Sequence, residues 1–153
     1  MTRVPLIPLP TIRQRSDHDC GVALAESILF WAGKRPDRRH LEAALLTTRR
    51  HGTEPADVAA VLCAAGLKAE VHYDFDPAEL REALDAGNPV GLCVTPDTVG
   101  HWIGAVGCSR QSLFALDPWT GRVERWDWKN FLRAWHDKDR RGRVLTRPAV
   151  LVS

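Results

Sequence analysis

Four residues have the types and the spacing that nucleophilic catalysis by a cysteine requires. Cys20 opens a long apolar run, residues 20–31, which predicts a helix with the thiol at its N-terminus, where the helix dipole favours a thiolate. Far downstream, His101 supplies a proton carrier and Asp117 a group that can orient it. Gln14, six residues before the cysteine, can donate a side-chain N–H to an oxyanion, together with the backbone N–H of Cys20. These residues predict a cysteine-nucleophile triad.

A helical first half and a strand-rich second half must position these residues. Helices are predicted over 19–32, 41–46, 53–66 (with Thr53 as cap) and 76–87, and a final helix is predicted from Asp127 to Trp135. Strands are predicted over 67–73, 89–94, 101–106, 112–116, 123–126 and 143–152. The result is an α+β domain, with the helical half packed on an antiparallel sheet. The first helix would deliver Cys20 to the sheet edge that bears His101, with Asp117 on the adjacent strand end.

The bulk composition predicts one globular domain in the cytoplasm. A chain of 153 residues with 44% hydrophobic residues can bury a core without metals or disulfides. Prolines over residues 1–13 predict an extended N-terminal arm, which leaves 14–153 as a single domain. The same prolines interrupt any signal-peptide region, and no apolar stretch approaches the ~20 residues of a membrane span.

Charge, cysteine spacing and motifs exclude several other classes. The net charge of +2 gives no strong field for nucleic acid. The four cysteines form no CxxC pair, so free thiols are expected. No phosphate-binding or dinucleotide motif is present, and we expect no cofactor. A metal site built on Cys20 and His101, with His18 and Asp19, is disfavoured because it lacks the paired spacing of zinc ligands.

Three motifs surround the candidate residues: Gln14-x4-Asp19-Cys20-Gly21-Val22-Ala23, Gly100-His101-Trp102 and Asp117-Pro118-x-x-Gly121. They resemble those of the C39 peptidases, which are papain-like cysteine proteases best known as leader-peptide peptidases of bacteriocin export. The resemblance extends over most of the chain. It implies a papain-like fold with Cys20 as nucleophile, His101 as base, Asp117 as orienting group and Gln14 as oxyanion donor. It also implies cleavage of a peptide bond after a Gly-Gly pair.

The resemblance also bears on partners. In the best-known C39 members the domain is fused to a membrane-spanning ABC exporter, whereas nothing follows residue 153 here. We therefore expect a free-standing C39-like domain acting on a peptide or protein, with an exporter or substrate encoded nearby. Two alternatives stay open: a peptide-binding module without proteolysis, and an acyltransferase or deamidase that uses the same triad.

Other aromatic and reactive side chains have structural interpretations. Trp102 and Trp119 flank the triad positions and are predicted to wall a substrate site, while Trp31, Trp126, Trp128 and Trp135 are predicted to pack in the core or against helices. Cys63, Cys93 and Cys108 are expected to be small apolar core residues. His18 is expected at the surface, pointing away from the nucleophile. The basic cluster over 140–143, with Arg13 and Arg15, is expected to be solvated, the alternative being contact with an acidic peptide or a phosphate.

Overall fold

The computed structural model describes residues 4–45 and 52–153, and an antiparallel sheet runs through its centre. In chain order the elements are α1 (Cys20–Trp31), α2 (Arg38–Ala44), α3 (Pro55–Ala64), β1 (Ala69–His72), α4 (Pro77–Asp85), β2 (Val90–Val94), β3 (His101–Cys108), β4 (Ser112–Asp117), β5 (Arg122–Asp127), α5 (Trp128–Ala134), β6 (His136–Lys138), β7 (Val144–Thr146) and β8 (Ala149–Val152). Within the described residues, six strands form the sheet in the order β1-β8-β2-β3-β4-β5, while β6 and β7 form a separate hairpin.

Helices cover both faces of the sheet. Because successive side chains of a strand point to opposite faces, Cys93 and Trp102 join the core formed with α1, α2 and α3. Leu92 and Ile103 join the core formed with α4 and α5. The centre of the sheet is therefore apolar on both sides, and β2 is buried along its whole length. The predicted α+β fold is confirmed, with the addition that α4 and α5 pack on the face opposite α1, α2 and α3.

Among the helices of the described residues, α1 is the most deeply buried. Every residue from Cys20 to Leu29 is buried, because the helix is covered by the sheet on one side and by α2 and α3 on the other. It ends at Ala32, and Gly33 turns the chain with a φ of 80°. The predicted helix is confirmed, and its burial fixes the position of Cys20 at its first residue. No helix among the described residues is long and apolar enough to cross a bilayer.

Residues 4–13 contain no helix or strand and lie against the body of the domain. The backbone N–H of Ile7 donates to the carbonyl of Val106 in β3 at 2.8 Å. The Ser27 hydroxyl of α1 donates to the carbonyl of Pro10. Leu9 is buried in the core beside α1. This segment therefore connects β3 to α1 before the chain reaches Gln14.

The prediction of one continuous strand over 143–152 is wrong. The structure divides it into β7 and β8, which belong to different sheets. Arg147 lies in the left-handed region with a φ of 42°, and Pro148 has no N–H to donate to a ladder. The chain turns there, and β7 pairs instead with β6, a strand that the sequence did not predict.

Three smaller predictions also need correction. The helix predicted over 41–46 begins earlier, at Arg38, because the Asp37 carboxylate accepts the backbone N–H of His40 and caps it. It ends at Ala44, and position 46 lies outside the described residues. Thr53 does not cap α3, whose N-cap residue is Glu54.

The cysteines and tryptophans divide between the core and its margins. All four cysteines are free thiols. Cys93 is buried and Cys108 half-buried, but Cys63 is exposed, so its prediction as a core residue is wrong: the inner face of α3 is formed by Val58, Ala59 and Leu62. Among the tryptophans predicted to pack in the core, Trp128 and Trp135 are buried whereas Trp31 and Trp126 are half-buried.

Candidate active site

The Cys20 thiol sits at the first residue of α1 and faces the beginning of β3. Its side chain is buried, and its Sγ accepts a hydrogen bond from the backbone N–H of Trp102 at 3.4 Å. This N–H and the N-terminal end of the helix dipole both favour negative charge on the sulfur. Sequence analysis missed the backbone donor, since only the strand geometry reveals it.

Close packing holds the start of α1 against β3. The Trp102 indole N–H donates to the carbonyl of Thr53, in the segment before α3, at 3.0 Å. Gly21 fits between these groups because it lacks a side chain. An added Cβ would lie 2.7 Å from the Thr53 Cβ and 3.1 Å from the Trp102 ring. The distance of Cys20 from the sheet is thus fixed by the packing of Gly21 against Thr53 and Trp102.

His101 and Asp117 meet because they lie at adjoining ends of neighbouring strands. His101 begins β3, Asp117 ends β4, and the two strands pair antiparallel. The imidazole Nε2 lies 2.6 Å from the Asp117 Oδ1. The backbone N–H of Trp119 donates to the same oxygen at 2.9 Å and so fixes the carboxylate. Nδ1 is the ring nitrogen left to face Cys20, whose thiol lies close enough to help raise the pKa of His101.

The surroundings of His101 stabilise its charged form. Burial by itself lowers the pKa of His101, but the hydrogen bonds and negative charges of Asp117 and Cys20 outweigh it and raise the pKa to about 9. For Asp117, burial alone raises the pKa, whereas the hydrogen bond and charge of His101 lower it below its usual value. Both directions favour an imidazolium paired with the Asp117 carboxylate at neutral pH.

Gln14 is held close to this arrangement by its backbone. Its N–H donates to the carbonyl of Pro118, directly after Asp117, at 2.8 Å. Its side-chain Nε2 donates to the carbonyl of Ser16 at 2.6 Å, while Oε1 is buried without a hydrogen-bond partner. If the amide oxygen and nitrogen of Gln14 were exchanged, the amide oxygen would lie against the carbonyl oxygen of Ser16 and repel it. The orientation with Nε2 toward Ser16 is therefore the favourable one. One amide N–H is therefore committed to Ser16, and a contact with an oxyanion would use the other.

A buried ion network braces the loop between Gln14 and Cys20. The Asp19 carboxylate accepts the backbone N–H groups of Arg15 and Ser16 and a hydrogen bond from the Arg38 guanidinium. Arg38 also donates to Glu26 of α1 at 3.2 Å. Burial by itself raises the pKa of Asp19, but the two backbone N–H groups and Arg38 lower it overall. Sequence analysis missed Arg38, because it stands in an Arg-rich segment typical of a solvated surface.

A cleft of about 830 Å³ opens beside Cys20, His101 and Trp102 and extends to the β6–β7 hairpin. Ion pairs hold this hairpin against the start of α3: the Arg140 guanidinium lies 3.6 Å from the Glu54 carboxylate and 3.4 Å from that of Asp57. The unpredicted hairpin therefore forms one wall of the cleft.

Two residues near the triad positions differ from their predicted placement. Trp119 is 57% exposed and is not among the described residues that line the cleft. Its contact with the triad is the hydrogen bond from its backbone N–H to Asp117, and its side chain does not form a wall of the site. His18 does line the cleft, half-buried, and its ring bonds Asp17 and Ser16. No group of three or more His, Cys, Asp or Glu side chains in residues 4–45 and 52–153 is placed to hold a metal ion.

Comparison with solved structures identifies the fold. A double glycine motif protease from an AMS/PCAT transporter, solved with its leader peptide, superposes with a TM-score of 0.71 at 18% identity, covering 98% of this chain and 91% of that one. A C39-like peptidase candidate from Bacillus anthracis gives a TM-score of 0.80 at 15% identity, with coverage of 99% and 98%. The peptidase domain of Streptococcus ComA, a bifunctional ABC transporter of a quorum-sensing pathway, gives 0.73 at 17%, with coverage of 93% and 96%.

These likenesses show that the chain has the fold of the C39-like peptidase domains. They extend over nearly the whole of each compared chain. No protein-family model matches the sequence, and no curated protein is significantly similar to it. The resemblance predicted from the motifs is thus confirmed for the fold.

The first prediction concerns the charge of His101. Because the folded-state pKa of about 9 lies above the usual 6.5, this charge stabilises the fold fully below pH 6.5 and the contribution is lost as the pH rises through 9. NMR titration of the ring nitrogens should show His101 changing charge near pH 9. Asp117→Asn should lower this pKa, since it removes the acceptor's charge, whereas Asp85→Asn, at an exposed position of α4, should not. Titration of wild-type His101 near 6.5 would contradict the account.

The second prediction concerns the buried ion network. Arg38→Met leaves the Asp19 and Glu26 carboxylates buried without their counter-ion, so it should lower the free energy of unfolding by about 3 kcal/mol. Arg39→Met removes a neighbouring, exposed guanidinium and should change it by less than about 0.5 kcal/mol. Urea denaturation measures both variants. Equal stability of the two would mean that Arg38 does not brace the loop.

Proposed function

We propose that this domain is a cysteine peptidase with Cys20 as nucleophile. The observation that supports the proposal best is that Cys20 and His101 line the same cleft and the His101 imidazole is hydrogen-bonded to Asp117. In this mechanism the Cys20 sulfur forms a bond to the peptide carbonyl carbon. His101 gives its proton to the departing amine, and the C–N bond breaks to leave a thioester. His101 then removes a proton from water, which attacks the thioester and releases the acid.

The negative oxygen of each tetrahedral intermediate needs hydrogen-bond donors. We assign this role to the backbone N–H of Cys20 and to the second side-chain N–H of Gln14. The backbone N–H groups of the first turn of a helix have no intrahelical partner and remain available. The Ser16 contact and the Pro118 contact support the assignment of Gln14, because together they hold its side chain and its backbone.

The substrate in this proposal is a peptide cut after a Gly-Gly pair. One of the similar structures is a double glycine motif protease bound to a leader peptide. A leader-type peptide with Gly-Gly before the scissile bond is therefore the first substrate to test. The reaction requires a reduced thiol, and a location in the cytoplasm, where thiols are kept reduced, is part of this proposal.

The third prediction tests the nucleophile by the masses of the products. Wild-type protein should split a Gly-Gly peptide into two fragments whose masses sum to the peptide plus one water. Cys20→Ala should reduce the rate by about 10⁴-fold or more, because it removes the attacking sulfur. Cys63→Ala should retain the wild-type rate, since Cys63 is an exposed thiol on the outer face of α3.

Two results would contradict this assignment. Undiminished cleavage by Cys20→Ala would rule out Cys20 as the nucleophile. An unbroken peptide whose mass changes by the difference between an amide and an acid would instead identify a deamidase that uses the same thiol.

A further inference from the structure

One of the carboxylates that line the cleft, Asp137, lies close to the triad without taking part in it. Asp137 is the middle residue of β6, half-buried between the exposed His136 and Lys138, and it lines the cleft. Its carboxyl group packs directly against Gly100, where an added Cβ would lie 2.8 Å from both its Cγ and its Oδ2. Gly100 immediately precedes His101. With consecutive Cα atoms 3.8 Å apart, the carboxylate lies on the order of 10 Å from the imidazole.

Among the described residues, the Asp137 carboxylate has no ion-pair partner. Its Oδ1 accepts the backbone N–H of Lys138 at 2.8 Å, but no Lys, Arg or His nitrogen of the described residues forms an ion pair with it, whereas Asp139 is paired with Arg143. Burial, assisted by the charge of Glu54, raises the pKa of Asp137 above its usual value, and the Lys138 N–H and His136 offset this only in part.

A carboxylate in this setting gains from a cation that carries N–H donors. Hydrogen bonds between charged partners are stronger than neutral ones, and partial burial limits the screening by water. His136 and Lys138 adjoin Asp137 in β6, and successive side chains of a strand point to opposite faces, so neither is directed at the carboxylate. The position of Asp137 in the cleft therefore favours a cation supplied by the substrate.

We propose that Asp137 selects a lysine or arginine side chain of the peptide substrate, located within about three residues of the scissile bond. Three residues of extended chain span the distance from His101 to the carboxylate. The inference rests on the proposed function, because it takes the occupant of the cleft to be a peptide. It adds a specificity residue on the unpredicted hairpin, which belongs neither to the triad nor to the oxyanion donors.

Binding to a protein without its nucleophile gives the sharpest test. In the Cys20→Ala background, Gly-Gly peptides are titrated by calorimetry with lysine or uncharged norleucine placed in turn at each of three positions on either side of the Gly-Gly bond. At one or more positions lysine should bind about tenfold more tightly than norleucine. Asp137→Asn keeps the size of the side chain and the acceptor for the Lys138 N–H, and it should bring this ratio close to one.

The control and the contradicting results are equally specific. Asp85→Asn, at an exposed position of α4 outside the cleft, should leave the lysine preference intact. A preference that survives Asp137→Asn, equal binding of both peptide sets, or no measurable binding of any lysine peptide would each overturn the inference. Failure of the proposed function has a different signature: wild-type protein would cleave none of these peptides, whatever their binding preference.

Discussion

The arrangement of the site depends on one contact, the packing of the N-terminus of α1 against the beginning of β3. The thiol and the imidazole lie 81 positions apart in the chain, on a helix and on a strand, so only a fixed helix–sheet distance can bring them together. Trp102 supplies this constraint twice: its backbone N–H bonds the Cys20 sulfur, and its indole N–H bonds the Thr53 carbonyl. Gly21 permits the approach, because any side chain there would meet Thr53.

Two charged networks are built around this contact, and they have different tasks. The first runs from Cys20 through His101 to Asp117 and stabilises an imidazolium inside the domain. The second joins Asp19, Arg38 and Glu26 and closes the loop that precedes the nucleophile. Asp19 and Cys20 are adjacent in the chain, so the second network holds the helix start in place while the first provides the chemistry. Neither network would be tolerated in a protein interior without its internal pairing, since an unpaired buried charge is costly.

The sequence was sufficient for the elements with a strong periodic pattern. The apolar run of α1, the buried strand β2 and the adjoining ends of β3 and β4 followed from hydrophobicity and turn residues, and so did the proximity of His101 to Asp117.

The features that escaped prediction depend on tertiary contacts. Strand β6 is only three residues long and charged, and ion pairs of Arg140 hold the β6–β7 hairpin against the start of α3, so β6 carries no hydrophobic alternation. Arg38 resembles a surface residue until α1 covers it. Cys63 stands in an apolar run, but the rotation of α3 turns it outward. In each of these cases the partner that decides the environment lies elsewhere in the chain.

The central claim is that His101 activates the Cys20 thiol, and the rate of alkylation at mildly acidic pH tests it most directly. Exposed Cys63 provides a reference thiol within the same chain. Peptide mapping after brief treatment with iodoacetamide at pH 6 should show Cys20 modified faster than Cys63 despite its burial, because the imidazolium stabilises the thiolate. His101→Ala should abolish this advantage. If Cys20 reacts more slowly than Cys63 and His101→Ala changes nothing, the thiol is not activated and the account is contradicted.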